Sequence, residues 1–197
     1  MQSNLTEIAY VLDRSGSMQT LVSDAIGGFN AFLSSQQKLE GNANFTLVLF
    51  DHEYLVLHKS ADIRNVPALN ETTYIPRGQT AMLDAVGRTI DDLGAHLASV
   101  PEHKRPAKVI IAIFTDGLEN ASRVYTNERL AASIQHQQEK YNWEFLFLAA
   151  NQDAIASAAK IAIPASQAMN YVASPTGVRD SQEMLNQRIT QSRQAKN

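Results

Sequence analysis

"EIAYVLDRSGSMQT", residues 7–20, decides how this chain is read. A run of apolar, strand-forming residues ends on Asp13, and two serines, Ser15 and Ser17, follow within four positions. A carboxylate that closes such a run lies at the rim of a sheet, not inside it. Gly16 between the serines permits a tight turn that aims both hydroxyls at one point. Beyond them, Val22, Ala25, Ile26, Phe29 and Phe32 or Leu33 recur at helical spacing. The positive N-terminal end of that helix attracts an anionic group to the same place.

Outward from this stretch, strands and helices alternate. "FTLVLF" (45–50) and "YLVLH" (54–58) are β runs separated by "DHE". That spacing predicts a hairpin and one antiparallel edge strand. "DHE" reads as the hairpin tip and not as a second metal site, because alternate strand side chains point to opposite faces. After an irregular segment (60–79), a helix is expected from Thr80, with its stripe at Leu83, Val86, Ile90, Leu93 and Leu97. "AKVIIAIFT" (107–115) is apolar on both faces, the mark of a central parallel strand. A helix (127–140), a strand (143–150), a small-residue helix (153–160) and a short strand (168–172) follow. The last helix, from Thr176, carries Val178, Leu185 and Ile189 among many polar residues. It is expected to dock weakly and fray after Ile189. This order gives a Rossmann-like α/β domain over residues 1–175, with a mostly parallel sheet and helices on both faces, and residues 176–197 packed on it as a C-terminal helix.

Ligands of such sheets bind beyond the carboxyl ends of the strands. Asp13 is at one such end and Asp116, in "FTDGLEN", directly follows the central strand; Thr80, in "RGQTAML", opens a helix on the same rim. If the two strands are neighbours, their carboxylates face each other and raise one another's pKa. A divalent cation removes that penalty. Asp13, Ser15, Ser17, Thr80 and Asp116 offer oxygen alone, which favours Mg2+, Mn2+ or Ca2+ over zinc or copper. Mg2+ is preferred, since it keeps waters and accepts one or two carboxylates. Met18, Arg77, Gln79, Glu119 and Asn120 form the expected partner-binding rim, with Tyr74 and Ile75 as further contacts in the long loop; Glu119 and Asn120 serve equally well at a helix start.

Composition excludes several classes. There are 17 Lys and Arg against 20 Asp and Glu, a net charge of -3, so no basic excess exists to neutralise nucleic-acid phosphates. No cysteine is present, which removes disulfides, thiolate metal sites and cysteine nucleophiles. No apolar run approaches the roughly 20 residues that span a bilayer. No basic-then-apolar segment opens the chain, so a cytoplasmic location is expected. A Gly-rich nucleotide loop is missing, because "AIGGFNAF" (25–32) lies within a helix pattern. The alternative is a Mg2+-dependent hydrolase or phosphotransferase with Asp13 as nucleophile. It lacks a neighbouring acid–base carboxylate, and no Lys or His stands in the three loops.

Together these residues resemble the metal-ion-dependent adhesion site of von Willebrand factor A domains. "DRSGSM" fits that family's Asp-x-Ser-x-Ser signature; Thr80 and Asp116 match its later threonine and aspartate, in the expected order. The resemblance covers roughly residues 5–175. It implies a site for binding and not catalysis, in which Ser15, Ser17 and Thr80 coordinate the ion directly while Asp13 and Asp116 act through waters or as acceptors. It also implies an open coordination position that takes an Asp or Glu carboxylate from a protein partner, with no nucleic acid, membrane or small-molecule substrate. Few direct negative ligands leave the ion electrophilic. Without cysteines or a leader, the chain is most similar to intracellular bacterial and phage members of that family.

Overall fold

The strand that ends on Asp13 lies inside the sheet with a parallel neighbour on each side, and this placement organises the molecule. The computed structural model describes residues 1–150 and 154–195. Its main elements are β1 (Gln2–Asp13), α1 (Val22–Gln37), β2 (Asn42–Phe50), β3 (Tyr54–Asp62), α2 (Met82–Ser99), β4 (Pro106–Thr115), α3 (Asn127–Tyr141), β5 (Glu144–Ala150), α4 (Ala154–Lys160), β6 (Ala168–Tyr171) and α5 (Pro175–Gln194). The sheet order is β3-β2-β1-β4-β5-β6. β1 pairs in parallel with β2 and β4, β4 with β5 and β5 with β6; β3 alone is antiparallel, paired with β2 at the edge. The expected Rossmann-like sheet and its hairpin edge are therefore both present.

Strand alternation builds two cores. Ile8, Tyr10 and Leu12 face the layer of α1 and α5, whereas Ala9 and Val11 face that of α2, α3 and α4. On the first side Tyr10, Phe29, Phe32 and Phe45 form an aromatic cluster with ring centroids 5.2–6.4 Å apart. These are separations at which edge-to-face and tilted pairs attract. The Tyr10 hydroxyl donates to Gln182 Oε1 at 2.5 Å, which fastens α5 to the central strand.

The last helix differs from expectation. Ser174 caps it by accepting the Gly177 N–H at 3.1 Å, and Pro175 occupies its first turn. It continues past Ile189 to Gln194. Its polar residues supply what its few apolar ones lack. The Gln36 amide donates to Asn186 Oδ1 at 2.8 Å and to Thr190 at 3.0 Å; Arg193 donates to the Gln36 carbonyl at 2.8 Å; and Lys108 donates to the carbonyls of Ser192 and Ala195. The expected first residue of the small-residue helix, Asp153, and the last two residues of the C-terminal segment lie outside the described residues. Among the described residues, no helix is long and apolar enough to cross a membrane.

Because Ile189 is fully buried, Ile189→Ala is expected to cost about 2–5 kcal/mol, the range for a large aliphatic side chain removed from a packed site. Urea denaturation checks this; a frayed end would give a change near zero.

Candidate metal centre

The strand order makes β1 and β4 neighbours, with Leu12 opposite Phe114. Asp13 and Thr115 therefore end side by side, and Asp116 follows one residue later. Winding reverses between these strands, which leaves a crevice at their carboxyl ends.

Asp13 is fully buried. Its Oδ1 accepts the Ser15 N–H at 2.6 Å and its Oδ2 accepts the Thr115 hydroxyl at 2.5 Å. The first bond folds the chain back on itself, an Asx-type turn that points the serine side chains upward. Ser15 Oγ and Ser17 Oγ then lie 3.0 Å apart, and the Ser17 hydroxyl donates to Asp116 Oδ1 at 2.6 Å. Ser15 is buried and Ser17 exposed, so the cluster has a floor and an open side.

Thr80 arrives on the loop before α2. Its N–H donates to Asn120 Oδ1 at 3.0 Å and its carbonyl accepts the Asn120 N–H at 3.0 Å. Both backbone groups are thereby fixed. A Cβ built on Gly117 would lie 3.0 Å from Thr80 Oγ1, 3.3 Å from Ser17 Oγ and 3.8 Å from Ser15 Oγ. Three hydroxyls from two distant loops thus converge on one small space beside Gly117.

That space fits a hard cation. Octahedral ligands at about 2.0–2.1 Å from Mg2+ lie about 2.9 Å from their neighbours, close to the Ser15–Ser17 separation. Among the described residues, no three His, Cys, Asp or Glu side chains gather to hold a metal, so hydroxyls dominate this donor set. The local field is negative. Burial pushes the Asp13 carboxyl up to about 6 against the hydrogen bonds of Thr115 and Ser15, and the Asp116 charge adds to the rise. Burial also raises Asp116, opposed by the Ser17 hydroxyl. Two buried tyrosines are held above their ordinary range, first by burial and then by the charges of Asp13 and Asp116. Tyr74 donates to the Asp13 carbonyl at 2.6 Å, and Tyr171 to the Thr115 carbonyl at 3.0 Å.

The expected rim is only partly at the rim. Arg77 and Gln79 are exposed, as is Ile75. Met18 is not: it is fully buried in the core layer with Tyr10, Leu12 and Phe29, because the short 3-10 turn Gly16–Leu21 rolls it inward. Tyr74, likewise expected at the surface, is buried with its hydroxyl under the site. Glu119 ties the third loop to α2. Its Oε2 accepts from the Leu83 N–H at 2.9 Å, and its Oε1 accepts from the N–H groups of Ala121 and Ser122 at 3.0 and 2.7 Å. Asn120 clamps Thr80, as described. Sequence reasoning missed Thr115, Tyr171 and Asp51. Asp51 carries the same signal as Asp13 and Asp116, a carboxylate directly after an apolar strand, but its place between two close β runs gives it the reading of a hairpin tip.

No protein-family model and no curated protein sequence matches the chain. Solved structures do. Proximal thread matrix protein 1 from the mussel byssus shares 15% identity over 95% of this chain and 46% of its own, at a TM-score of 0.63. This chain thus spans a little under half of that protein; another structure of it has a zinc-occupied MIDAS motif. The vWF domain of the type V pili tip protein Mfa5 from Porphyromonas gingivalis matches at 12% identity over 100% of this chain and 99% of its own, TM-score 0.67. Manganese-loaded Plasmodium vivax TRAP protein matches at 20% identity over 76% of this chain and 58% of its own, TM-score 0.53. At such identities these likenesses speak to the fold alone.

Two outcomes are expected. Gly117→Ala fills the space between the hydroxyls with a methyl group. Titration calorimetry with Mn2+ should lose its signal, while stability in chelator changes by only about 1 kcal/mol, since the backbone conformation suits alanine and the Thr80 hydroxyl, 3.0 Å from the new methyl, has to give by a few tenths of an ångström. Separately, a carboxyl raised to about 6 in the folded chain binds its proton more tightly there than when unfolded. Its contribution is therefore full below pH about 4 and lost as pH rises through about 6, on the order of 3 kcal/mol for roughly two pKa units. Urea midpoints in EDTA should fall over that window, and Asp13→Asn should flatten the fall.

Proposed function

On a von Willebrand factor A fold with these donors at its carboxyl-end rim, we propose that the protein is a non-catalytic, metal-dependent protein-binding module. Ser15, Ser17 and Thr80 would hold the ion, with Asp13 and Asp116 acting through waters or as acceptors behind those hydroxyls. Mg2+ is the proposed ion, with Mn2+ or Ca2+ as alternatives. When bound, the cation supplies positive charge and an open coordination position for a partner's Asp or Glu carboxylate. A cytoplasmic setting, and a protein partner in place of nucleic acid, membrane or small molecule, belong to the same reading.

The convergence of three hydroxyls on the space beside Gly117 carries this proposal. It is supported by the zinc-occupied motif of the mussel protein and the manganese-loaded TRAP protein, two similar folds that hold divalent metals. Binding is favoured over the hydrolase reading by the state of Asp13. That carboxylate is fully buried, and both its oxygens are engaged by Ser15 and Thr115. A nucleophile must reach its substrate, and this one has no open path.

The test is capture from native extract with the chain immobilised in Mg2+. A protein partner is expected to be retained, then released by EDTA, and absent from the Thr80→Ala column. Retention that survives EDTA and is equal on the Thr80→Ala column would overturn the proposal.

A further inference from the structure

The two hydroxyl-bearing loops meet at one residue, and it is not among the candidate ligands. Asp51 directly follows β2 and is fully buried. Its Oδ2 accepts a hydrogen bond from Arg77 Nε at 3.0 Å, and Arg14 Nε stands 3.1 Å from the same oxygen as an ion pair. Its Oδ1 accepts the Glu53 N–H at 2.6 Å, with His52 Nδ1 at 3.4 Å. Its backbone carbonyl accepts the Ala81 N–H at 2.9 Å. Arg14 lies between Asp13 and Ser15, while Arg77 and Ala81 flank Thr80. The carboxylate therefore grips the first loop through Arg14 and the second through Arg77, while the backbone carbonyl of the same residue holds Ala81.

Other bonds complete the seam. The Arg77 N–H donates to the Arg14 carbonyl at 2.8 Å, and the Gly16 N–H donates to the Gly78 carbonyl at 3.2 Å. Gly78 has φ +68, a conformation that favours glycine, and a Cβ there would also stand 2.1 Å from His52 Nδ1 in the β2–β3 turn. Arg77 also pairs with Glu53, which lies 4.0 Å from Arg14.

We infer that Asp51 is the positioning residue of the site: it sets the register between the Ser15–Ser17 loop and Thr80, and thereby the spacing of the hydroxyls offered to a cation. The physical reason is the cost of burying charge. A carboxylate excluded from water is tolerated only while paired, and removing either side leaves the other uncompensated. Asp51 and the two arginines therefore fix the register of loops that the backbone bonds already bring together. A site needs its donors within about half an ångström of the productive geometry, and groups behind metal ligands commonly change metal affinity by about 10–100-fold when lost. This inference rests on the cation reading proposed above.

The test is calorimetric titration of the full chain with Mn2+, well below each variant's melting temperature. Asp51→Asn is expected to weaken binding by at least about ten-fold. Arg77→Met, a change at a half-exposed side chain that leaves the core intact, is expected to weaken it by a few-fold. The double variant should be no worse than Asp51→Asn, since both act through one contact. Ile189→Ala, destabilised at a remote site, should bind as the unmodified chain does, which separates positioning from general stability. Unchanged affinity in a folded Asp51→Asn protein overturns the inference; should that variant fail to fold, unchanged affinity in Arg77→Met does so. An unmodified chain that binds no Mn2+ overturns the cation reading itself, and this inference with it.

Discussion

Burial of negative charge at the end of β1 is the constraint around which the rest of the site is arranged. Asp13 sits at the carboxyl end of a central strand and is fully buried, and a carboxylate there is costly unless its oxygens are engaged. The Ser15 amide and the Thr115 hydroxyl engage them, and in doing so they give the first loop its turn and tie β1 to β4. Asp116, one residue beyond Thr115, is then drawn to Ser17. The residual negative field reaches Tyr74 and Tyr171, whose hydroxyls brace the carbonyls of the two strand ends. A cation bound above these groups, as proposed, would offset that field, so folding and binding chemistry would address the same cost.

A second buried carboxylate, Asp51, works by a different device. Asp13 is accommodated by neutral donors, which leave its charge available to a cation. Asp51 is compensated by two guanidinium groups, and its charge is used up in holding loops. Glu119 and Asp84 perform a comparable task on the far side of Thr80. Glu119 accepts from the first turn of α2, and Asp84 takes the N–H groups of Arg123, Val124 and Tyr125. The loops around the site are therefore held by acidic side chains pointed at backbone donors and arginines, alongside the buried side chains of Met18 and Tyr74. That arrangement leaves the hydroxyls of Ser17 and Thr80 directed at the open crevice.

Much of this was legible in the chain. The continuous apolar runs of β1 and β4 marked a parallel sheet, the "DHE" spacing marked the hairpin edge, and the switch-point rule directed attention to Asp13, Thr80 and Asp116. The misreadings share a cause. Met18 and Tyr74 were placed at the surface because they neighbour candidate donors in sequence, yet a 3-10 turn and a loop return carry both inside. The last helix was expected to fray because apolar periodicity fades after Ile189. Its end is instead held by Gln36, Lys108 and Arg193, polar contacts between segments more than eighty residues apart. Such contacts leave no periodic trace.

By itself the sequence determined the periodicities, and through them the α/β class, the edge hairpin and the oxygen-only chemistry of the candidate site. These are local properties: they follow from which residues recur every two or every three to four positions, and from which atoms the side chains carry. The tertiary structure alone decided that β1 and β4 are neighbours, that Gly117 leaves room where three hydroxyls point, and that Asp51 joins two loops. Those outcomes depend on distances between residues far apart in the chain. They are settled only when hydrophobic burial closes the sheet between its helices, and every buried charge must then find a partner.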